Sequence, residues 1–152
     1  MDLSQVLPRQ LDLSAQRLLE TLDGVTPAEA AARPNGLIPA IWHVGHVGVH
    51  HSYILRHVGY GPEIPAGWEE VFRKGSDGSG PFPRLDEVTA WFQAVREQIV
   101  RLAGEADRHS IPLEGAAWST VGEALVWAHN HCGYHVGKVS TLRALLGKPV
   151  QR

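Results

Sequence analysis

In four stretches of this 152-residue chain apolar residues recur every three, four or seven positions, and in none do they alternate as along a half-buried strand. That patterning restricts the chain to helices, so an all-α fold is expected. From about Ser4 to Leu22 the stripe is Leu7, Leu11, Leu18 and Leu22, and Gly24 then interrupts it. A second stretch runs from about Leu37 to Val58 and stops before Gly59 and Gly61. The third, about Leu85 to Ala106, sets Val88, Trp91, Phe92, Val95, Ile99 and Leu102 on one face. The fourth opens on the capping pattern Thr120-Val121-Gly122-Glu123, reaches about Leu146, and ends at Gly147 with Pro149 beyond. After the first stretch, Thr26-Pro27-Ala28-Glu29 combines a cap, a proline at the first helical position and a capping glutamate. One short helical turn through Ala32 is expected there.

Connection lengths add topology. Some two dozen residues rich in glycine and proline, Tyr60 to Pro83, separate the second and third helices. Antiparallel neighbours are usually joined by ~2–8 residues, so this length predicts a crossover with the two helices running parallel. The segment around Gly75–Gly80 should be mobile. Trp68 and Phe72, on a short turn of helix, should anchor the connection over one mouth of a site. Domains commonly have ~100–150 residues, so a single domain spanning 1–152 is expected.

Composition excludes several classes of function. Hydrophobic residues at 43% and charged residues at 20% suffice for a core that needs neither disulfide nor metal to fold. A metal site in such a chain would serve function rather than folding. The net charge is −2 and the Lys and Arg residues are scattered, which excludes the basic stripe that nucleic acid requires. One cysteine, Cys132, precludes an internal disulfide and suits a reducing compartment. The first residues lack the pattern of a signal peptide and no run approaches the ~20 apolar residues of a membrane span. A cytoplasmic protein with no membrane partner is expected.

The nine histidines are unevenly placed: five lie from His43 to His57, three from His129 to His135, and His109 stands apart. Each helical residue advances about 100°, which puts His131 and His135 in the same sector as Ala124, Ala128, Val139, Leu142 and Leu146. Two histidines one turn apart on a buried stripe are costly unless satisfied, either by a metal ion or by a buried hydrogen-bond network. His-x-x-x-His on a helix is a known ligand spacing. In the second helix His43, His46, His50 and His57 share an arc of roughly 60°. They span about four turns, ~21 Å, so one or two of them reach a common ion and the rest line a pocket. His51 points away from that arc and reads as a surface residue, as does His109. Gly45 and Gly48 within the helix suggest a closely packed neighbour. Cys132, about 100° from His131, reads as a small core residue. Trp42 and Trp118, at helix starts, are candidates for a pocket mouth.

These residues resemble a known family. Ile41-Trp42-His43-Val44-Gly45-His46-Val47 is similar to the second-helix motif of DinB/YfiT-like proteins. His131-Cys132-Gly133-Tyr134-His135-Val136-Gly137-Lys138, with Leu142 and Leu145-Leu146-Gly147, resembles that family's fourth-helix signature, and Arg33-Pro34-Asn35-Gly36 a recurrent lead-in. The two main motifs stand about 85 residues apart, each on an expected helix.

The resemblance implies a four-helix bundle with a tri-histidine centre for a divalent metal ion, its ligands mapping to His46, His131 and His135. It implies zinc, with nickel or iron as alternatives, and a homodimer. Family activities imply a thiol S-transferase joining a low-molecular-weight thiol to a small electrophile. The alternatives are a metal-dependent hydrolase and a non-catalytic metal-binding or stress-induced protein. Three imidazoles would leave a coordination position open, as catalytic sites do. His50, one turn after His46, is the candidate general base.

Overall fold

The computed structural model describes residues 3–149; residues 1, 2 and 150–152, which the expected domain also included, lie outside the described residues. Six helices follow in order: α1 (Leu3–Glu20), α2 (Pro27–Ala30), α3 (Ala40–Arg56), α4 (Trp68–Phe72), α5 (Leu85–Gly104) and α6 (Val121–Leu145). Single 3-10 turns occur at Pro34–Gly36 and Ala106–Arg108. Among the described residues there is no strand, only an isolated bridge between Pro112 and Thr120. The protein is all-α, and its four long helices form a bundle.

Local chemistry sets the boundaries. The Thr26 hydroxyl accepts from the Glu29 amide while the Glu29 carboxylate accepts from the Thr26 amide, closing the capping box that starts α2. At α6 Thr120 accepts from the Glu123 amide, but the Glu123 carboxylate reaches back one residue further, to the Ser119 amide. Helix α3 begins later than its apolar spacing suggests, because Pro39 holds an extended conformation (ψ 159°) at the cap. The residue before a proline is also disfavoured from helix, which removes Leu37 and Ile38 from it.

In cross-section the long helices follow one another around a square as α1, α5, α3, α6, so that α1 and α3 stand on one diagonal. Side-chain contacts fix their directions. Tyr60, just past α3, donates 2.6 Å to Glu105, just past α5, so these two helices end together and run parallel. That is the crossover expected from the long connection. Arg143 near the end of α6 donates to Thr21 O and Asp23 O beyond α1, which makes α1 and α6 parallel as well. Arg96 on α5 meets Asp12 on α1, and His51 on α3 meets Ala128 on α6, across antiparallel pairs.

Helix α3 is buried almost all round, packed by α5, α6 and α4. A Cβ at Gly45 would overlap the Phe72 ring, and one at Gly48 would overlap Trp91. The glycines therefore let α4 and α5 approach, as close packing required. This also corrects the reading of His51 as a surface residue. It is fully buried, its Nε2 lies 3.5 Å from Ala128 O, and its ring stacks near Phe92. A helix with two buried faces has no solvent side for a residue lying between them. His109, also expected at the surface, is half-buried and its Nε2 donates to Ala103 O, 3.0 Å away, near the end of α5.

The Tyr60–Pro83 connection is tied down along its length. Phe72 is fully buried, Trp91 Nε1 donates to Glu63 O, and Trp42 Nε1 donates 2.6 Å to Ser76 Oγ. Gly78, in the stretch expected to be mobile, is itself buried near Ile38 and Pro39. Among the described residues no helix is long and apolar enough to cross a membrane.

Candidate metal centre

Where α3 crosses α6 antiparallel, five histidine side chains meet: His43, His46 and His50 from one helix, His131 and His135 from the other. Successive helical turns place 43, 46 and 50 on one edge of α3, and 131 and 135 on the facing edge of α6. The sequence reading allowed one or two histidines of α3 at a common ion and the rest along a pocket; His46 and His50 stand near His131, and His43 lines the same cavity. His57 lies outside it, exposed, its Nδ1 turned back to Tyr53 O.

Nitrogen atoms of His46, His50 and His131 all lie within 4.8 Å of one another. His135, expected as the third ligand, is outside that trio, but its Nε2 stands 3.0 Å from Nε2 of His131. Its Nδ1 lies 2.8 Å from Nδ1 of His43. Of the expected ligands the structure thus brings His46 and His131 together, joins His135 to them through His131, and adds His50 at the same distance.

Orientation distinguishes these residues. His46 Nδ1 lies 2.7 Å from Phe72 O, and a carbonyl only accepts, so Nδ1 carries the hydrogen and Nε2 presents a lone pair. The ring is sandwiched by Trp42, centroids 4.3 Å apart at 14°. His131 is stacked on Trp127 in the same way, at 4.3 Å and 16°. His135 is steadied by His43, which in turn bonds the Ile38 backbone. Metal-bound histidines ordinarily give their outer N–H to such a partner, which fixes the tautomer and aims the ligand nitrogen. His46 and His135 fit that description. Nδ1 of both His50 and His131 is buried without a partner.

Burial also sets the charge state. It pushes His43 and His50 down to about 4, His135 to about 3 and His131 to about 2, with neighbouring histidines depressing each further. His46 is lowered for the same first reason. All five are neutral near pH 7, the form that can donate a lone pair to an ion.

The residues fit a divalent cation. Two ligands with bonds of ~2.0–2.1 Å stand about 3.3 Å apart in a tetrahedral site, close to the 3.0 Å between His131 and His135. Two buried nitrogens without partners are the orphans that an ion or its bound water would satisfy. An all-imidazole donor set suits zinc, nickel or iron rather than calcium or magnesium.

The centre opens into a cavity of about 850 Å³. Trp42, Trp118 and Trp127 wall it, in keeping with the expectation that Trp42 and Trp118 sit at a pocket mouth. Lys74 and Gly75 from the long connection line it too, as does Lys138 from α6. Sequence reasoning missed Lys74, which sits in a loop without periodicity. It named Lys138 only as the end of the fourth-helix motif, although a residue three after His135 must share its side of the helix. Cys132 faces the other way. It is fully buried beside Ser14 of α1, and burial pushes its thiol up to about 12, so it is no nucleophile.

Comparison with known proteins agrees with this architecture. A crystal structure described as that of the conserved protein of a locus from Enterococcus faecalis superposes with a TM-score of 0.59 at 20% identity, covering 97% of this chain and 99% of that one. The likeness concerns the fold. No curated protein sequence matches. The profile of the DinB superfamily matches residues 10–139, a span that runs from α1 through both histidine-bearing helices, and the chain belongs to that superfamily.

Proposed function

We propose that the chain is a divalent-metal-dependent transferase that joins a low-molecular-weight thiol to a small electrophile, with His46, His131 and His135 holding the ion. The observation that carries the reading is a neutral histidine cluster at the floor of an aromatic cavity of about 850 Å³, large enough for two small reactants. A bound ion at such a centre lowers the pKa of a coordinated thiol or water and supplies a nucleophile at neutral pH.

The chain's own residues supply the rest. Phe72 O and His43 hold His46 and His135 in the tautomers that face the centre. The Trp42 and Trp127 rings keep His46 and His131 in plane and exclude water from one side. In this reading His50, one turn from His46 and with a buried Nδ1 that has no partner, takes a proton from an incoming thiol or water. That nitrogen also supports the runner-up reading of a hydrolase, in which His50 takes a proton from water.

A screen decides between them. Zinc-, nickel- and iron-loaded protein is incubated with small thiols and a chromogenic chloroarene or epoxide, and the products are identified by mass spectrometry. A thioether adduct formed only with the loaded protein is the expected result. Hydrolysed chloroarene or epoxide with no adduct would replace the transferase by a hydrolase. Binding of metal with neither product would leave a non-catalytic metal-binding protein.

A further inference from the structure

The charge of the cavity is one-sided. Two lysines line it, Lys74 from the long connection and Lys138 from α6, and among the described residues no Asp or Glu does. They act on different parts of the centre: the charge of Lys74 bears on His46 and His50, that of Lys138 on His43 and His135. Neither lysine forms an ion pair among the described residues. Lys138 instead lies 5.1 Å over the Tyr134 ring, which holds its ammonium at the rim. A carboxylate, that of Glu114, lines a smaller adjoining cavity of about 270 Å³ that shares His50, Ala117 and Trp118.

Two ammonium groups facing one pocket with apolar walls and neutral histidines raise its potential, and among the described residues no carboxylate lines the pocket to balance them. A divalent ion would add charge of the same sign. An occupant with a negative group is favoured by every charged element of the site. Lysine, a compact point charge on a flexible stem, can follow a carboxylate that differs in position from one ligand to another.

We infer that the cavity takes an anionic small molecule bearing a carboxylate, with Lys74 and Lys138 as its charge partners and the histidine centre beneath its reactive end. This names the ligand class of the site proposed above. It rests on that cavity being the substrate pocket, but on neither the metal nor the thiol.

The test therefore uses metal-free protein. Acetate, succinate and benzoate, each beside its neutral amide, are titrated at low ionic strength by calorimetry, with the fluorescence of the pocket tryptophans as a second readout. At least one carboxylate should bind while its amide does not, and added salt should weaken that binding. Lys74→Gln and Lys138→Gln should each weaken it about threefold and the double variant about tenfold, the scale of exposed charge pairs. Both lysines are exposed, so the variants should keep the parent melting point. Arg9→Gln, which removes one charge from the exposed face of α1, should change nothing. Equal binding of acids and amides, no binding of any acid, or a double variant within twofold of the parent would each overturn the inference. A failed search for thiol transfer would leave this result standing, so the two proposals fall separately.

Discussion

At the scale of single residues, the histidines of the cluster differ in their surroundings. His46 and His135 each have an outer partner and an inward nitrogen, whereas Nδ1 of His50 is buried without a partner. Replacing His46, His131 or His135 by Ala should therefore lower divalent-metal affinity at least tenfold in competitive titration, and His43→Ala, which strips His135 of its support, about tenfold. His50→Ala should hold the metal and lose turnover. Loss of metal from His50→Ala, with retention in His135→Ala, would move the third ligand from α6 to α3, to the trio whose nitrogens already lie within 4.8 Å. His51→Ala should keep metal and lower the melting point, since its ring is fully buried against Phe92. What the sequence concealed here follows from geometry. Helical spacing tells which residues share an edge, so the grouping of 131 with 135 and of 43, 46 and 50 was legible. It does not tell how many neighbours a helix has, and His51 was misplaced for that reason. Arg143 escaped for a related one: it is buried because it binds the Thr21 and Asp23 carbonyls just past α1.

At the scale of elements, the connection between α3 and α5 does more than cross over. Its short helix α4 inserts the buried Phe72 ring where Gly45 has no side chain, and the carbonyl of that same residue orients His46. Packing and the orientation of a candidate ligand are thus coupled through one residue. Gly45→Ala should push α4 off α3, at a cost of about 1–3 kcal/mol for overpacking. It should weaken metal binding as well, although Gly45 touches no ligand atom. A Gly45→Ala protein with lowered stability and unchanged metal affinity would show that Phe72 O does not govern His46. The length and glycine content of the connection made the crossover readable, and Trp68 and Phe72 were readable as its anchors. The clamp from Trp42 to Ser76 was not, because a hydrogen bond between residues 34 positions apart leaves no local pattern. That clamp also makes the lid testable: Ser76→Ala should alter turnover or substrate preference with metal content unchanged, and an unchanged profile would leave the connection a passive strap.

At the scale of the whole molecule, the buried histidines make stability depend on acid. His43, His50 and His51 are pushed down to about 4 by burial, His135 to about 3 and His131 to about 2, from an ordinary value near 6.5 that the unfolded chain regains. Between pH 6.5 and 4 the unfolded chain consequently binds protons that the folded one refuses. Stability contributed by these groups is fully present above 6.5 and is lost as pH falls through that window. The carboxylates held low by hydrogen bonds, Glu29, Asp77, Asp86 and Glu105, titrate at lower pH and add little there. The melting point of metal-free protein should hold steady from pH 8 to 7 and then fall continuously toward pH 4. A bound ion competes with those same protons, so metal-loaded protein should melt higher at neutral pH by linkage and lose the excess over the same interval. Chelation at pH 7.5 should leave the far-ultraviolet helical signal nearly unchanged, since the core of α1, α3, α5 and α6 is formed by apolar side chains and capped ends rather than by the centre. A metal-free melting point that stays flat from pH 7 to 4.5 would mean that the histidines are hydrated and protonate freely in the folded chain. That outcome would remove the neutral cluster on which the reading of a metal centre depends.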